Sequence, residues 1–265
     1  MRNRLMGSTL AVVAVLSFSF GIIAQTVEKS GVAKAQAPPP TPDLAGVWRR
    51  SRRPPNNARR YTIFELALSI ASEEPAMTPW AAAKFKASKP NVGPNAVPLA
   101  DTNDPVSKCF PPGVPRIYLQ RGEPMEIIQI PGRVIMLFEY DHFVRHIYTD
   151  GRPHPKDVAP TWMGDSIGRW EGNTLVIDTV GFNDKTWLDY VGHPHSDALH
   201  VVERVRRVNH DTLEIDITIT DPKAYTKSWG GRAIFELKPD WNLGEMVCED
   251  DVNFLDLQKK AEASK

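Results

Sequence analysis

The residue type best suited to chemistry near neutral pH is concentrated in one part of this 265-residue chain. All 7 histidines lie between His142 and His210. Histidine is the usual general acid or base and a common metal ligand, because its ordinary pKa lies close to neutrality. The sequence therefore directs the search for a functional site to this part of the chain.

The first group of histidines lies in a predicted strand over residues 142–149. Alternation along a strand puts His142 and His146 on one face and Arg145 on the other. Neither face is purely apolar, so some polar groups must point inward, and a ligand cavity is the simplest reason. Tyr140, just before this strand, is a candidate ligand contact. A solvated strand edge is the alternative interpretation.

The second group contains His193, His195, Asp197 and His200. Two imidazoles two residues apart can converge on one metal ion, and a further histidine can complete the set. The spacing departs from that of metallo-β-lactamase-type hydrolases and of cupins, so we expect no metal and no cofactor. If a metal is bound, the ligands are His193, His195 and His200. The alternatives are acid–base use of His195 and Asp197, or a polar loop.

Glu203 lies between Val201 and Val205 on one face of a predicted strand over residues 200–208. A carboxylate in an apolar setting has a raised pKa and can act as a general acid or base. A cross-strand partner for an arginine is the alternative. Asp165 poses the same choice at the start of an earlier strand.

Tryptophans flank these polar groups, with Trp162 before one predicted strand and Trp187 before the second histidine group. Aromatic faces suit sugar rings or flat aromatic ligands, and ordinary core packing is the alternative. Three hypotheses about function follow from these candidate residues. The first is a small cofactor-independent lyase, isomerase or hydrolase, and the second is a non-catalytic binding protein. A structural module of the cell envelope is a third hypothesis. The candidate catalytic residues are His142, Arg145, His195, Asp197 and Glu203, and the candidate ligand contacts are Tyr140, Trp162, Asp165 and Trp187. We expect one shared cavity to be lined by His142, Arg145, Trp162, His195, Asp197 and Glu203.

The elements that must position these residues are predicted to be strands from residue 125 onward. Residues 126–130 and 134–140 form a hairpin, because Pro131 and Gly132 supply a turn between two apolar runs. The further predicted strands are 142–149, 166–170, 174–180, 200–208, 213–220, 232–238 and 245–249. So many short strands with tight turns favour a mainly β fold, a single antiparallel β-barrel or sandwich.

Most of the 23 prolines precede residue 125, so residues 38–122 cannot be mainly sheet. An exception is a short strand over residues 43–49, which we expect to join the β-domain at 123–258. A helix is predicted over residues 61–74. A clearer helix follows Thr78, which is an N-cap residue before Pro79.

The N-terminus has the pattern of an export signal. Arg2 and Arg4 precede an apolar run over residues 10–24, and an Ala-Gln-Ala site ends at Ala37. Residues 1–37 are therefore predicted to be a signal peptide of a periplasmic or secreted protein, with a retained membrane anchor as the alternative. In an exported chain, Cys109 and Cys248 are expected to form a disulfide.

The charge composition limits the partners. Lys plus Arg and Asp plus Glu both number 32, so no basic excess points to nucleic acid. After signal cleavage no stable membrane insertion is expected, which leaves a small-molecule ligand or substrate as the expected partner.

Four stretches, residues 137–145, 149–155, 162–172 and 193–200, resemble a family of exported bacterial proteins that is common in soil bacteria. The resemblance runs from about Asp43 to the C-terminus. It implies export and a single domain, and it implies no activity. The strand pattern is also similar to that of lipocalin-like (calycin) barrels, which is an analogy of fold alone.

Overall fold

The computed structural model describes residues 42–51, 69–71, 73–120 and 123–249. All of them fall in one compact unit that spans residues 40–265. The predicted signal peptide and residues 61–68 of the predicted helix lie outside the described residues. Residues 69–71, 73 and 74, from the end of that predicted helix, are not helical.

In the part of the chain that the structure describes, nine strands form a closed barrel in which neighbours around the barrel follow the order of the chain. The strands are β1 (Gly46–Arg50), β2 (Met125–Ile130), β3 (Arg133–Phe138), β4 (Val144–Tyr148), β5 (Asp165–Glu171), β6 (Thr174–Val180), β7 (His200–Asn209), β8 (Thr212–Thr220) and β9 (Trp229–Leu237). β1 pairs with both β2 and β9, which closes the barrel. The predicted mainly β fold with a single barrel is confirmed.

The barrel is not wholly antiparallel, which corrects one part of the prediction. β4 and β5 run parallel, with Ile147 opposite Ser166 and Tyr148 opposite Ile167. The long connection over residues 149–164 lets the chain return in the same direction, as a parallel pair requires. Short turns join the antiparallel pairs β2–β3, β3–β4, β5–β6 and β7–β8, whereas longer connections join β1 to β2 and β6 to β7. The turn between β5 and β6 places Gly172 at φ +61°, in the left-handed region that glycine adopts without strain.

The predicted helix after Thr78 is present as α1 (Pro79–Ala87). The Thr78 hydroxyl accepts a hydrogen bond from the Ala81 amide, and Pro79 occupies the first turn, where its missing N–H costs nothing. Among the described residues between α1 and β2, three short 3-10 helices follow, at Leu99–Asp101, Pro105–Lys108 and Arg116–Leu119.

The predicted strand over residues 245–249 is wrong. Met246 forms only an isolated bridge with Tyr140. A disulfide instead ties this segment to the proline-rich region, since Cys248 is bonded to Cys109 with their Cα atoms 5.5 Å apart. The predicted cysteine pair is therefore confirmed. Within the described residues, no helix is both long and apolar enough to span a membrane.

The core lies inside the barrel. Strand alternation sends large apolar side chains such as Trp48, Met136 and Ile215 inward, and all three are fully buried. Four polar residues from β4, β5, β6 and β7 also point inward and are buried, namely Arg145, Ser166, Thr179 and Glu203. The interior is thus an apolar core with one polar network.

Candidate functional site

Arg145 and Glu203 form an ion pair inside the barrel. Nη1 of Arg145 lies 2.9 Å from Oε1 of Glu203, and Nη2 donates to the other carboxylate oxygen. Tyr118 reaches in from the last 3-10 helix and donates its hydroxyl to Oε1 of Glu203 at 2.6 Å. Two of the five sequence-predicted catalytic residues therefore meet, and Glu203 is an arginine partner across the barrel.

The remaining residues of the network accept hydrogen bonds from the Arg145 guanidinium. Nε of Arg145 donates to the Ser166 hydroxyl at 3.2 Å, and Nη2 donates to the Thr179 hydroxyl at 2.8 Å. Every guanidinium nitrogen thus has a protein acceptor. Burial opposes the charge of Arg145, but Glu203 and Tyr118 outweigh it and raise the pKa of Arg145. The polar side chains of this network are therefore hydrogen-bonded to one another inside the barrel.

A cleft lies at one end of the barrel, where four strand ends meet. Because β5 to β8 run antiparallel, the start of β5, the end of β6, the start of β7 and the end of β8 share this end. Thr161 bridges Phe182, which fixes the segment before β5 beside the segment after β6. The start of α1 completes the wall.

The cleft has a volume of about 1070 Å³ and a mixed aromatic and polar lining. Its lining residues are Trp80, Pro160, Thr161, Trp162, Phe182, Asn183, Asp184, Lys185, Ser196, Asp197 and Lys223. This volume is close to the upper limit for small-molecule sites, which combine apolar walls with a few placed polar groups.

Trp162 is held in the cleft wall by stacking. The Phe110 ring lies nearly parallel to it, with the ring centres 5.2 Å apart. Phe110 follows Cys109 directly, so the disulfide anchors the segment that supports the indole. The Lys185 ammonium lies 5.9 Å from the centre of the Trp162 ring. Trp162 is the one sequence-predicted ligand contact that the structure places in the cleft.

The charged lining residues face solvent. Asp184 and Lys185 are exposed. Asp197 and Lys223 form an ion pair of 2.6 Å, and their side chains are 66% and 60% exposed. Hydrogen bonding to the Lys223 ammonium lowers the pKa of Asp197. Such a pair is easily rearranged, because water screens it on the outside.

Behind the cleft lie polar groups that are buried and paired. Ser196 donates its hydroxyl to Asp221 at 2.7 Å and its amide to the other oxygen of that carboxylate. His195 lies beside it, with Nε2 2.6 Å from the Thr186 hydroxyl and Nδ1 3.0 Å from the Ser196 carbonyl. Burial lowers the pKa of His195, so the ring is neutral near pH 7, with Nδ1 donating to the carbonyl.

His193 points away from the cleft into a second buried contact. Nδ1 lies 2.6 Å from Asp189 and Nε2 lies 3.3 Å from Glu74, so both nitrogens donate to carboxylates. The ring stacks on Phe85 at 4.7 Å. Burial disfavours the charge, but Asp189 and Glu74 outweigh it and raise the pKa of His193 to about 9. His193, in the loop before β7, thus contacts Glu74 in the connection between β1 and α1.

The other predicted site residues lie elsewhere. His142 sits at φ +54° in the exposed turn between β3 and β4, which shortens the predicted strand to Val144–Tyr148. Tyr140 packs against Cys248, and Trp187 lies over the Arg116 guanidinium. Asp165 binds His154 on the outer face of the barrel.

The expectation of one shared cavity is therefore wrong. Arg145 and Glu203 lie inside the barrel, Trp162 and Asp197 line the cleft with His195 behind it, and His142 lies on an exposed turn. Alternation along a strand tells which side chains point inward, but each loop residue is placed by its own turn.

The three histidines considered as metal ligands do not converge. His193 binds Asp189, His195 binds Thr186, and His200 lies 2.9 Å from Asp178. Over residues 42–51, 69–71, 73–120 and 123–249, no group of three or more His, Cys, Asp or Glu side chains is arranged to hold a metal ion.

Comparison of the chain with protein-family models and with curated proteins finds no match. The geometry of the cleft and of the buried network is therefore the basis for any functional conclusion.

Sequence reasoning missed most of the cleft lining, including Trp80, Asn183, Asp184 and Lys223. A usable signal was present. The segments before β5 and β7 and after β6 and β8 must meet at one end of an antiparallel barrel, so their polar and aromatic residues could have been grouped by strand end. Trp80 carried no such signal, because only the packing of α1 brings it there.

Proposed function

We propose that this protein is an exported small-molecule binding protein whose site is the cleft at the barrel end. The observation that carries the proposal is the lining, in which the indole of Trp162, supported by Phe110, stands among exposed charged side chains. Sites for small molecules combine such walls with a few polar groups that orient the ligand. The disulfide supports export, because disulfides persist in oxidising compartments.

The barrel interior is the weaker place for a ligand. The fully buried side chains of Trp48, Met136 and Ile215 occupy it, and Arg145 and Glu203 meet each other there. A ligand inside would have to separate a buried ion pair, which costs about 3–5 kcal/mol when one partner is removed.

The experiment is a ligand screen on matched variants. A chemically diverse set of small molecules is tested by ligand-observed NMR and thermal shift on the parent protein, on Trp162→Ala and on Trp241→Ala. Trp241 is a suitable control, since it is 42% exposed and lies over Arg49 away from the cleft lining. We expect hits that are lost in Trp162→Ala and kept in Trp241→Ala. Hits that bind Trp162→Ala as well as they bind the parent protein would contradict the proposal.

One observation favours hydrolysis as a second candidate function. His195 is oriented by the Ser196 carbonyl and lies 2.6 Å from the Thr186 hydroxyl, which is the arrangement of a base beside a nucleophile. If the pair is catalytic, Thr186→Ser retains turnover of an ester substrate and Thr186→Val abolishes it. Equal turnover by the two variants would mean that the His195–Thr186 pair is a structural contact.

A further inference from the structure

The cleft offers both hydrogen-bond donors and acceptors beside its aromatic rings. The Asp184 and Asp197 carboxylates accept, and the Lys185 and Lys223 ammonium groups donate. Trp80 and Trp162 add two indole rings to the same lining. A ligand that uses all of these groups must carry many small groups able to donate and accept, together with a flat apolar face.

The charges of the lining are balanced. Two carboxylates and two ammonium groups face the cleft, and one of each already forms the Asp197–Lys223 pair. A balanced set gives no net field to attract an anion or a cation. The arrangement favours a ligand without net charge.

We propose that the ligand of the cleft is a neutral saccharide, an inference that rests on the binding function proposed above. Each sugar hydroxyl both donates and accepts, so it can take the place of water on a carboxylate and on an ammonium group alike. The C–H face of the sugar ring packs on an indole. The side chains of Asp197 and Lys223 are more than half exposed, so a ligand can reach them from solvent.

A flat aromatic ligand fits the lining less well. It would stack on Trp162 but would cover Asp184 and Lys185 without offering them hydrogen bonds. Covering charged groups without replacing their water is unfavourable. The indoles alone therefore do not decide the ligand class, and the charged groups beside them do.

The test is isothermal titration calorimetry of the purified protein with four kinds of probe. These are neutral oligosaccharides (cello-, xylo-, manno- and malto-oligosaccharides), an oligogalacturonate as the charged saccharide, a naphthol as the flat aromatic, and glycerol as a non-cyclic polyol. We expect at least one neutral oligosaccharide to bind with a Kd below about 1 mM. Trp162→Ala should weaken that binding at least about tenfold, and Trp241→Ala should leave it unchanged.

A second variant keeps the test decisive if Trp162→Ala does not fold. Trp80→Ala removes an indole that is 40% exposed on the first turn of α1, so it should fold and still weaken saccharide binding. Lys223→Met should weaken it as well, since it removes a donor and leaves Asp197 unpaired.

The outcomes separate the two proposals. Binding of the naphthol or of the oligogalacturonate but of no neutral oligosaccharide, with loss in Trp162→Ala, would overturn the saccharide and leave the cleft as the site. Saccharide binding that survives Trp80→Ala and Trp162→Ala would overturn the saccharide at this cleft. If no probe binds and no compound in the wider screen responds to the cleft variants, both proposals fail.

Discussion

Inside the barrel, Arg145 and Glu203 find their hydrogen-bond partners within the protein, whereas at the barrel end Asp184 and Lys185 face water. Both regions are polar, and both contain residues that the sequence singled out. The two regions differ in whether the polar atoms are already occupied by hydrogen-bond partners within the protein. A charged side chain among strand residues indicates a buried structural pair as readily as a catalytic group, whereas exposed polar residues beside supported aromatic rings retain binding capacity.

The largest expected effect comes from breaking the buried pair. Glu203→Gln should lower the free energy of unfolding by about 3–5 kcal/mol, because it leaves the Arg145 guanidinium buried without its counter-charge. Chemical denaturation followed by fluorescence measures this.

The same variant sharpens the comparison with the cleft. Ligand binding at the cleft should be unchanged by Glu203→Gln under conditions where the protein is folded. Nearly unchanged stability with complete loss of turnover or binding would instead give Glu203 a direct role.

The disulfide gives the next effect. It joins two residues 139 positions apart, and the double variant Cys109→Ser, Cys248→Ser should lose roughly 2–4 kcal/mol of stability, the typical contribution of a disulfide. Because Cys109 precedes the Phe110 that supports Trp162, ligand binding should weaken in parallel. Denaturation with and without reductant measures the first effect, and titration of the folded variant measures the second. Binding that is indifferent to reduction would show that Trp162 needs no such support.

His193 makes stability depend on pH. Its pKa is about 9 in the folded protein against an unfolded value of 6.5, so its contribution is fully present below pH 6.5 and is lost as pH rises through 9. The loss amounts to about 3 kcal/mol, because the pKa in the folded protein lies about 2.5 above that in the unfolded chain.

The variant His193→Gln tests this assignment. It should be less stable than the parent at pH 6 and should have a flatter stability profile between pH 6.5 and 9. His210→Gln is the control, since His210 is exposed in the turn between β7 and β8. An unchanged profile in His193→Gln would assign the pH dependence to another group.

The smallest effect is expected at the cleft rim. Asp197→Asn removes one partner of an exposed ion pair, so the melting temperature should not change measurably. Binding of a ligand that uses the rim should weaken, because one acceptor loses its charge. A clear fall in melting temperature would mean that the rim is structural, like the interior.

The sequence by itself determined the mainly β fold, the N-terminus of α1 and the cysteine pairing, and it left a barrel and a sandwich open. Strand alternation and the Thr78–Pro79 cap are local patterns, which follow from burying apolar side chains and from satisfying backbone N–H groups. Two cysteines in an exported chain allow a single intramolecular pairing. The same alternation grouped Glu203 with Val201 and Val205, and all three are buried in the structure. It put Arg145 on the face opposite His146, but only the structure shows that the Arg145 face is the inward one. It could not exclude His142 from its strand, because the positive φ of that residue arises from a tight turn.

Only the tertiary structure decided which polar residues meet. Arg145 and Glu203 come from strands that are not neighbours, and they face each other because the barrel closes. The cleft combines four strand ends with Trp80 of α1, which lies far away in the sequence. Alternation along a strand indicates which face of the sheet a side chain lies on. Its partner across the barrel is set by packing, because the same pattern of alternation is compatible with several arrangements of the strands.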